Sequence, residues 1–188
     1  MKRLEEYNLY LDITGFKDVK VKDINYVFNE IKKEDKKEDE RVVIQLFDAD
    51  YIAGIEHLFH ATLNALKTFE QKRNISDSLE FEILLYASGQ RQISKAIDML
   101  GIKPVSSNIA VLILSQKEEK VRLTQEKVSR LIKGIRDDDV LEFKNRSKIE
   151  NLMKAFGITE EAIETEIDEG RMLKDLIIEI GALLAAKS

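Results

Sequence analysis

The sequence predicts an α/β chain of the α+β kind: a mixed sheet of about four strands surrounded by helices, then an all-helical C-terminal part. Three observations carry this reading. Short runs rich in β-branched and aromatic residues occur at Asn8–Thr14, Val42–Phe47, Leu79–Ala87 and Ile109–Leu114, all within residues 1–116. Segments with apolar residues at helical spacing separate them. From Lys117 onward the strand signal stops and helical periodicity takes over. No linker divides the chain, so residues 1–188 are expected to form one domain, with a strand-and-helix portion (1–116) and a helical portion (117–188).

In chain order, Asn8–Thr14 alternates, with Leu9, Leu11 and Ile13 on one side, as a half-buried strand does. Asp23–Ile31 places Ile24, Val27, Phe28 and Ile31 at helical spacing. Lys32–Arg41 is a charge run that reads as a solvated helix end and loop. Val42–Phe47 is a continuous apolar run and reads as a buried strand. Asp48-Ala49-Asp50 then opens a long helix, Tyr51–Phe69, apolar nearly all round and hence packed on more than one side. Phe81, Ile83 and Leu85 alternate in a third strand. Ser88-Gly89-Gln90-Arg91 turns the chain into a short helix, Ile93–Leu100, and Ile109–Leu114 is the fourth strand. Helices follow over Glu126–Ile135 and over Lys148–Phe156, the latter closed by Gly157. Thr159 and its acidic successors start another, Gly170 breaks the pattern, and Arg171–Ala186 closes the chain.

Composition narrows the chemistry. The absence of cysteine excludes disulfides, thiolate catalysis and thiolate-ligated metal sites. No apolar run reaches membrane-span length and no signal region opens the chain, so a cytoplasmic location without membrane attachment is expected. The formal charge of −5 argues against indiscriminate nucleic-acid binding. Its distribution is uneven. Residues 117–136 carry Lys117, Lys120, Arg122, Lys127, Arg130, Lys133 and Arg136 against three glutamates, whereas residues 159–188 carry eight acidic side chains against three basic ones.

No phosphate-binding glycine loop and no nucleophile elbow is present. His57 and His60 stand three apart on the long helix and, with Asp48 or Asp50, form a candidate metal set, while Asp137-Asp138-Asp139 is a second candidate for a cation. The order Glu56-His57 departs from the zinc-protease helix, and a hydrogen-bonded core histidine with a second on the rim explains the pair as well. Asp137-Asp138-Asp139 reads as a helix cap. No cofactor and no catalytic residue is expected, and the chain is not read as an enzyme. The Ser88–Arg91 turn is the best anion site: a buried strand feeds a glycine turn, Ser88 caps the next helix, and Arg91 supplies a bidentate donor. A plain strand–helix connection, with Arg91 paired to an acid, remains open. In the last helix Leu173, Leu176, Ile177, Ile180 and Leu184 form one stripe, while Met172, Ile178 and Leu183 populate other sides. That surplus suits a helix covered partly by its own domain and partly by a partner.

Several blocks together carry a family resemblance. They are Ala53-Gly54-Ile55-Glu56-His57-Leu58, with Ala61 and Ala65 following, then Glu82-Ile83-Leu84-Leu85-Tyr86-Ala87-Ser88-Gly89-Gln90-Arg91-Gln92-Ile93, Ala96-Ile97 and Leu100-Gly101-Ile102, and the closing Ile180-Gly181-Ala182-Leu183. The chain resembles the kinase-binding subunit of the KEOPS complex, the TPRKB-type (PRPK-binding) family. The resemblance implies a mixed sheet surrounded by helices and no catalysis of its own. It implies binding to the N-lobe of the small atypical kinase and stimulation of that kinase. It also implies help in recruiting tRNA through its CCA 3′ end for threonylcarbamoyladenosine modification, other subunits being met only indirectly.

On that footing Ser88, Gly89, Gln90, Arg91 and Lys95, near His57, are the expected RNA-end pocket. Leu173, Leu176, Ile177, Ile180 and Leu184 are the expected kinase anchors. A pure protein adaptor without RNA contact, and a metal enzyme built on the two histidines, are the rival readings.

Overall fold

The computed structural model describes residues 1–20, 26, 27, 29, 30, 42–143, 145–162 and 169–187. It is an α+β fold. Strands β1 (Lys2–Leu4), β2 (Leu9–Lys17), β3 (Val43–Asp48), β4 (Ile109–Ser115) and β5 (Ile135–Arg136) form one sheet, in the order β1-β2-β4-β3, with β5 also on β2. Its described pairings are all antiparallel; Phe16 lies opposite Ile109, and Asp48 opposite the same residue from the other side.

Six helices are described: α1 (Ile55–Glu70), α2 (Leu79–Ser88), α3 (Ile93–Leu100), α4 (Glu118–Ile132), α5 (Arg146–Phe156) and α6 (Glu169–Ala186). The expected strands at Asn8–Thr14, Val42–Phe47 and Ile109–Leu114 are present as β2, β3 and β4. Of the helix expected over Asp23–Ile31, Tyr26, Val27, Asn29 and Glu30 are helical and the rest lies outside the described residues, as does most of the Lys32–Arg41 run.

The period of two along β4 explains the layering. Ala110, Leu112 and Leu114 enter one core with Leu11, Phe47, Leu58 and Leu84, beneath α1 and α2. Ile109, Val111 and Ile113 enter a second core with Phe16, Val121, Val128 and Ile132, beneath α4. A strand buried on both faces must be apolar at every position, which is why this run carries no alternation. A third, smaller core of Ala53, Leu152, Met153, Leu173 and Ile177 joins α5 and α6 to the approach of α1.

The strand expected at Leu79–Ala87 is instead a helix, α2. Ile83, Leu84, Leu85, Tyr86 and Ala87 are all buried, so the segment is apolar all round, and periodicity alone does not separate a buried strand from a buried helix. The polar residues decide it. Glu80 and Glu82 lie in the first turn, where the helix dipole favours acids, and Gly89 takes the left-handed C-terminal position at φ 64°.

Glu82 is 0% exposed. Its carboxylate accepts the N–H of Ile75 (3.0 Å) and of Ser76 (2.7 Å), and the Thr68 hydroxyl at 3.3 Å. One carboxylate thereby organises the loop between α1 and α2.

Other departures are local. The long helix starts at Ile55 rather than Tyr51, because Asp48 accepts the Asp50 N–H and closes a 3₁₀ turn first. The helix expected over Glu126–Ile135 runs from Glu118 to Ile132, and Ile135–Arg136 beyond it pairs with β2, so one short strand returns inside the C-terminal portion. Asp137 caps a 3₁₀ turn as expected, and Gly157 ends α5 at φ 66°. The last helix begins at Glu169 and so includes Gly170, and residues 163–168 before it lie outside the described residues.

Replacing Glu82 with Ala strands two loop N–H groups, since bonds to a charged group are each worth about 1.5–3 kcal/mol. Urea denaturation of Glu82→Ala is expected to show a loss of about 3 kcal/mol. A change near zero would mean that water satisfies the loop equally well.

Candidate partner-binding face

The α2–α3 turn and the terminal helix, read separately from sequence, form one place. Two glycines bring them together. A Cβ on Gly181 would sit 2.5 Å from the carbonyl oxygen of Tyr86, so α6 lies directly on the backbone of α2. A Cβ on Gly89 would overlap Cγ2 of Ile180. At the other end of α6, the Lys174 ammonium meets the Glu56 carboxylate at 2.8 Å, and that bond holds the Glu56 carboxyl below its ordinary range.

His57 fastens the same region from beneath. It is 2% exposed. Its Nδ1 accepts the Ala53 N–H (3.1 Å) and its Nε2–H donates to the Ala87 carbonyl (2.7 Å), which fixes a neutral tautomer. Burial pulls its pKa down to about 4, and Phe156 packs edge-on against the ring.

His57 therefore offers no ring nitrogen to a nucleotide; it positions the end of α2, where the turn begins. Nor does it converge with His60, which is exposed beside Phe59. Asp48 is engaged by the Ser106 hydroxyl and the Asp50 N–H. Among the described residues no three potential ligands gather for a metal.

The turn differs from the expected strand-to-helix mouth. Ser88 is buried and ends α2 rather than capping α3: its hydroxyl donates to the Leu85 carbonyl and accepts the Gln90 N–H. The N–H groups of Gly89 and Gln90 go back to the Tyr86 and Leu85 carbonyls. These two amides are thus consumed by the end of α2, and exposed side chains follow them. Arg91 and Lys95 are exposed one helical turn apart, and among the described residues neither meets a carboxylate. Gln90 is half-buried against Met99. Ile93 and Ile97 add exposed aliphatic surface on α3.

The α6 stripe is divided. Leu173, Ile177 and Leu184 face inward and are buried, because the 3.6-residue repeat turns that row onto α1, α2 and α5. Leu176 and Ile180 are half-buried on its flank, and Leu183, outside the expected set, is 50% exposed. Of the five expected anchors, two retain accessible surface.

The basic stretch at 117–136 lies mainly on α4, on the opposite face of the sheet, with Arg122 paired to Glu118 and Arg130 to Glu126.

One buried group escaped sequence reading. Lys148 is 5% exposed, and its ammonium donates to the Val140 carbonyl at 2.6 Å. Desolvation pulls its pKa down to about 8 against the opposing pull of Asp50, Glu142 and Asp48. A lysine in the first turn of an amphipathic helix looks like any solvated one, so nothing in the sequence marks it.

A partly exposed helix seated on a glycine-paired scaffold is the surface this fold presents for docking. The model of the family described as kinase binding protein CGI-121 matches residues 16–184, and the chain belongs to that family. It is 39% identical over 114 residues to a protein of Methanocaldococcus jannaschii named Regulatory protein Cgi121, a match spanning 61% of this chain and 70% of that one. No described helix is long and apolar enough to cross a membrane.

The His57 geometry sets a pH dependence. Its folded pKa of about 4 lies below the ordinary 6.5, so below pH 6.5 the unfolded chain binds the extra proton. Stability is expected to fall by about 3 kcal/mol as pH drops from 6.5 to 4. Denaturation of His57→Gln against pH should lack that component; an unchanged slope would assign it elsewhere.

For Lys148, lowered from 10.5 to about 8, the unfolded state holds the proton longer, so stability is expected to rise between those pH values. Lys148→Met should abolish the rise. Its persistence would place the titrating group elsewhere.

Proposed function

We propose that the chain is a non-catalytic regulatory subunit of the KEOPS complex. It docks the N-lobe of the small atypical kinase through the outer flank of α6, stimulates that kinase, and holds the CCA 3′ end of tRNA at the α2–α3 turn for threonylcarbamoyladenosine modification. Membership of a kinase-binding family supports the first part. The observation that carries the surface is α6 itself: after its inner row is buried at home, Leu176, Ile180 and Leu183 leave an apolar flank at the surface. Interface anchors are apolar side chains that lose their remaining exposure on docking.

The RNA part draws on Arg91 and Lys95. Arg91 and Lys95 are exposed cations that meet no carboxylate among the described residues and can face phosphate, and the adjoining Ile93 and Ile97 give unstacked bases an apolar surface. His57, Ser88 and Gly89 act from beneath as positioning residues, and Gln90 lies at the rim. The fixed histidine and the glycine contact with Ile180 tie the RNA surface to the kinase surface through one rigid turn.

Leu183→Asp is expected to weaken kinase binding at least about tenfold while leaving the fold intact. Calorimetry with the purified kinase checks it, and undiminished affinity would move the interface off this flank. A gel shift with intact and CCA-trimmed tRNA at two salt concentrations tests the RNA part. Binding should need the CCA end, fall with salt, and be lost in Arg91→Glu. Equal binding to both RNAs would leave a protein adaptor.

A further inference from the structure

On the sheet face away from α1, α2 and α6, the first half of β2 and the start of α4 enclose a concave pocket of about 680 Å³. That volume falls in the range of small-ligand sites, roughly 300–1,000 Å³. Alternation along β2 sends Tyr10, Asp12, Thr14 and Phe16 to this face, while Leu9, Leu11 and Ile13 go to the other. The pocket belongs to neither surface assigned above.

Its walls carry both signs of charge: Asp12, Glu118 and Glu126 line it beside three arginines, with Asp12 held by the Met1 ammonium at 3.0 Å. Arg3, Arg122 and Arg136 come from β1, α4 and β5, so three separate elements bring a guanidinium to one hollow. The Tyr10 ring is half-buried in the wall, with the Arg3 guanidinium 5.7 Å from its centre. Polar groups are fixed below. Gln125 Nε2 donates to Thr14 Oγ1 at 3.0 Å, and Thr14 donates to the buried Asp12 carboxylate at 2.8 Å.

The present partners of the arginines are Glu5, Glu118 and Asp138, in exposed pairs. Such pairs are worth about 0–1 kcal/mol, so they hold the guanidinium groups in place without committing them. A phosphate offers the same fork geometry with more charge.

We infer that this pocket binds a nucleotide unit, its base against Tyr10 and its phosphate among Arg3, Arg122 and Arg136. The unit is either a free mononucleotide or one nucleotide of an RNA strand; ring and phosphate chemistry are common to both. A kinase on α6, or RNA on the α2–α3 turn, leaves the pocket open, because the sheet lies between. The inference stands whether or not the turn binds tRNA.

Titration of the full ¹⁵N-labelled chain tests it, with adenosine monophosphate, a six-nucleotide RNA, inorganic phosphate and poly-glutamate as probes. The expected result is saturable shifts at Arg3, Tyr10 and Gln125 with one of the first two. Saturation by the mononucleotide assigns a free ligand, and saturation by RNA alone assigns a strand. The Arg122→Gln/Arg136→Gln variant, altered only at exposed positions, should bind at least about tenfold more weakly. Tyr10→Leu should weaken the nucleotide but not phosphate. The inference is overturned if neither nucleotide probe saturates, if phosphate or poly-glutamate acts as strongly, or if the double variant binds as wild type does.

Discussion

Burial of α2 on every side constrains the rest of the molecule. A ten-residue helix whose central side chains are inaccessible meets other parts of the chain at both ends. At the N-terminal end the Glu82 carboxylate gathers the preceding loop. At the C-terminal end the Ala87 carbonyl takes the His57 Nε2–H, and the Tyr86 and Leu85 carbonyls take the amides of the turn. Helix α6 then lies on the Tyr86 carbonyl because Gly181 has no side chain to hold it off. The joint surface of the α2–α3 turn and α6 is a consequence of enclosing this helix.

The arrangement explains a division of labour among residues that look alike in sequence. His57, Ser88 and Gly89 sit next to the turn but spend their polar groups and their space on the fold. Arg91 and Lys95, a few residues on, are exposed and meet no carboxylate among the described residues. Along α6 the same split runs between Leu173, Ile177 and Leu184, which are core, and Leu176, Ile180 and Leu183, which hold accessible surface. A position a third of a turn away changes the role of a leucine completely. The sheet adds a second separation: everything on the α4 face is screened from the α6 face by a strand buried on both sides.

Two buried titratable groups, His57 and Lys148, are displaced in the same direction, because burial disfavours the charged form of each. His57 escapes the cost by staying neutral within two backbone hydrogen bonds. Lys148 has a single carbonyl and more distant carboxylates, so its ammonium is the more strained of the two near neutral pH. Both lie where α5 and α6 join the strand body, near the buried Asp48 carboxyl, which burial pushes up.

The sequence by itself determined three strands, the long helix, the Gly157-closed end of α5 and the family, because alternation, all-round apolarity, a Gly cap and a run of consecutive residues such as Glu82–Ile93 are local signals. It also singled out the α2–α3 turn and the last helix, which the fold places side by side. Tertiary structure alone decided that Leu79–Ser88 is a helix, since full burial erases the difference between periods of two and 3.6. It alone decided that Ser88 closes one helix instead of opening the next, that His57 is a strut, that Lys148 is buried, and which row of α6 faces out. Each of those depends on what packs against a residue from a distant part of the chain, and the order of side chains along one segment carries no record of that.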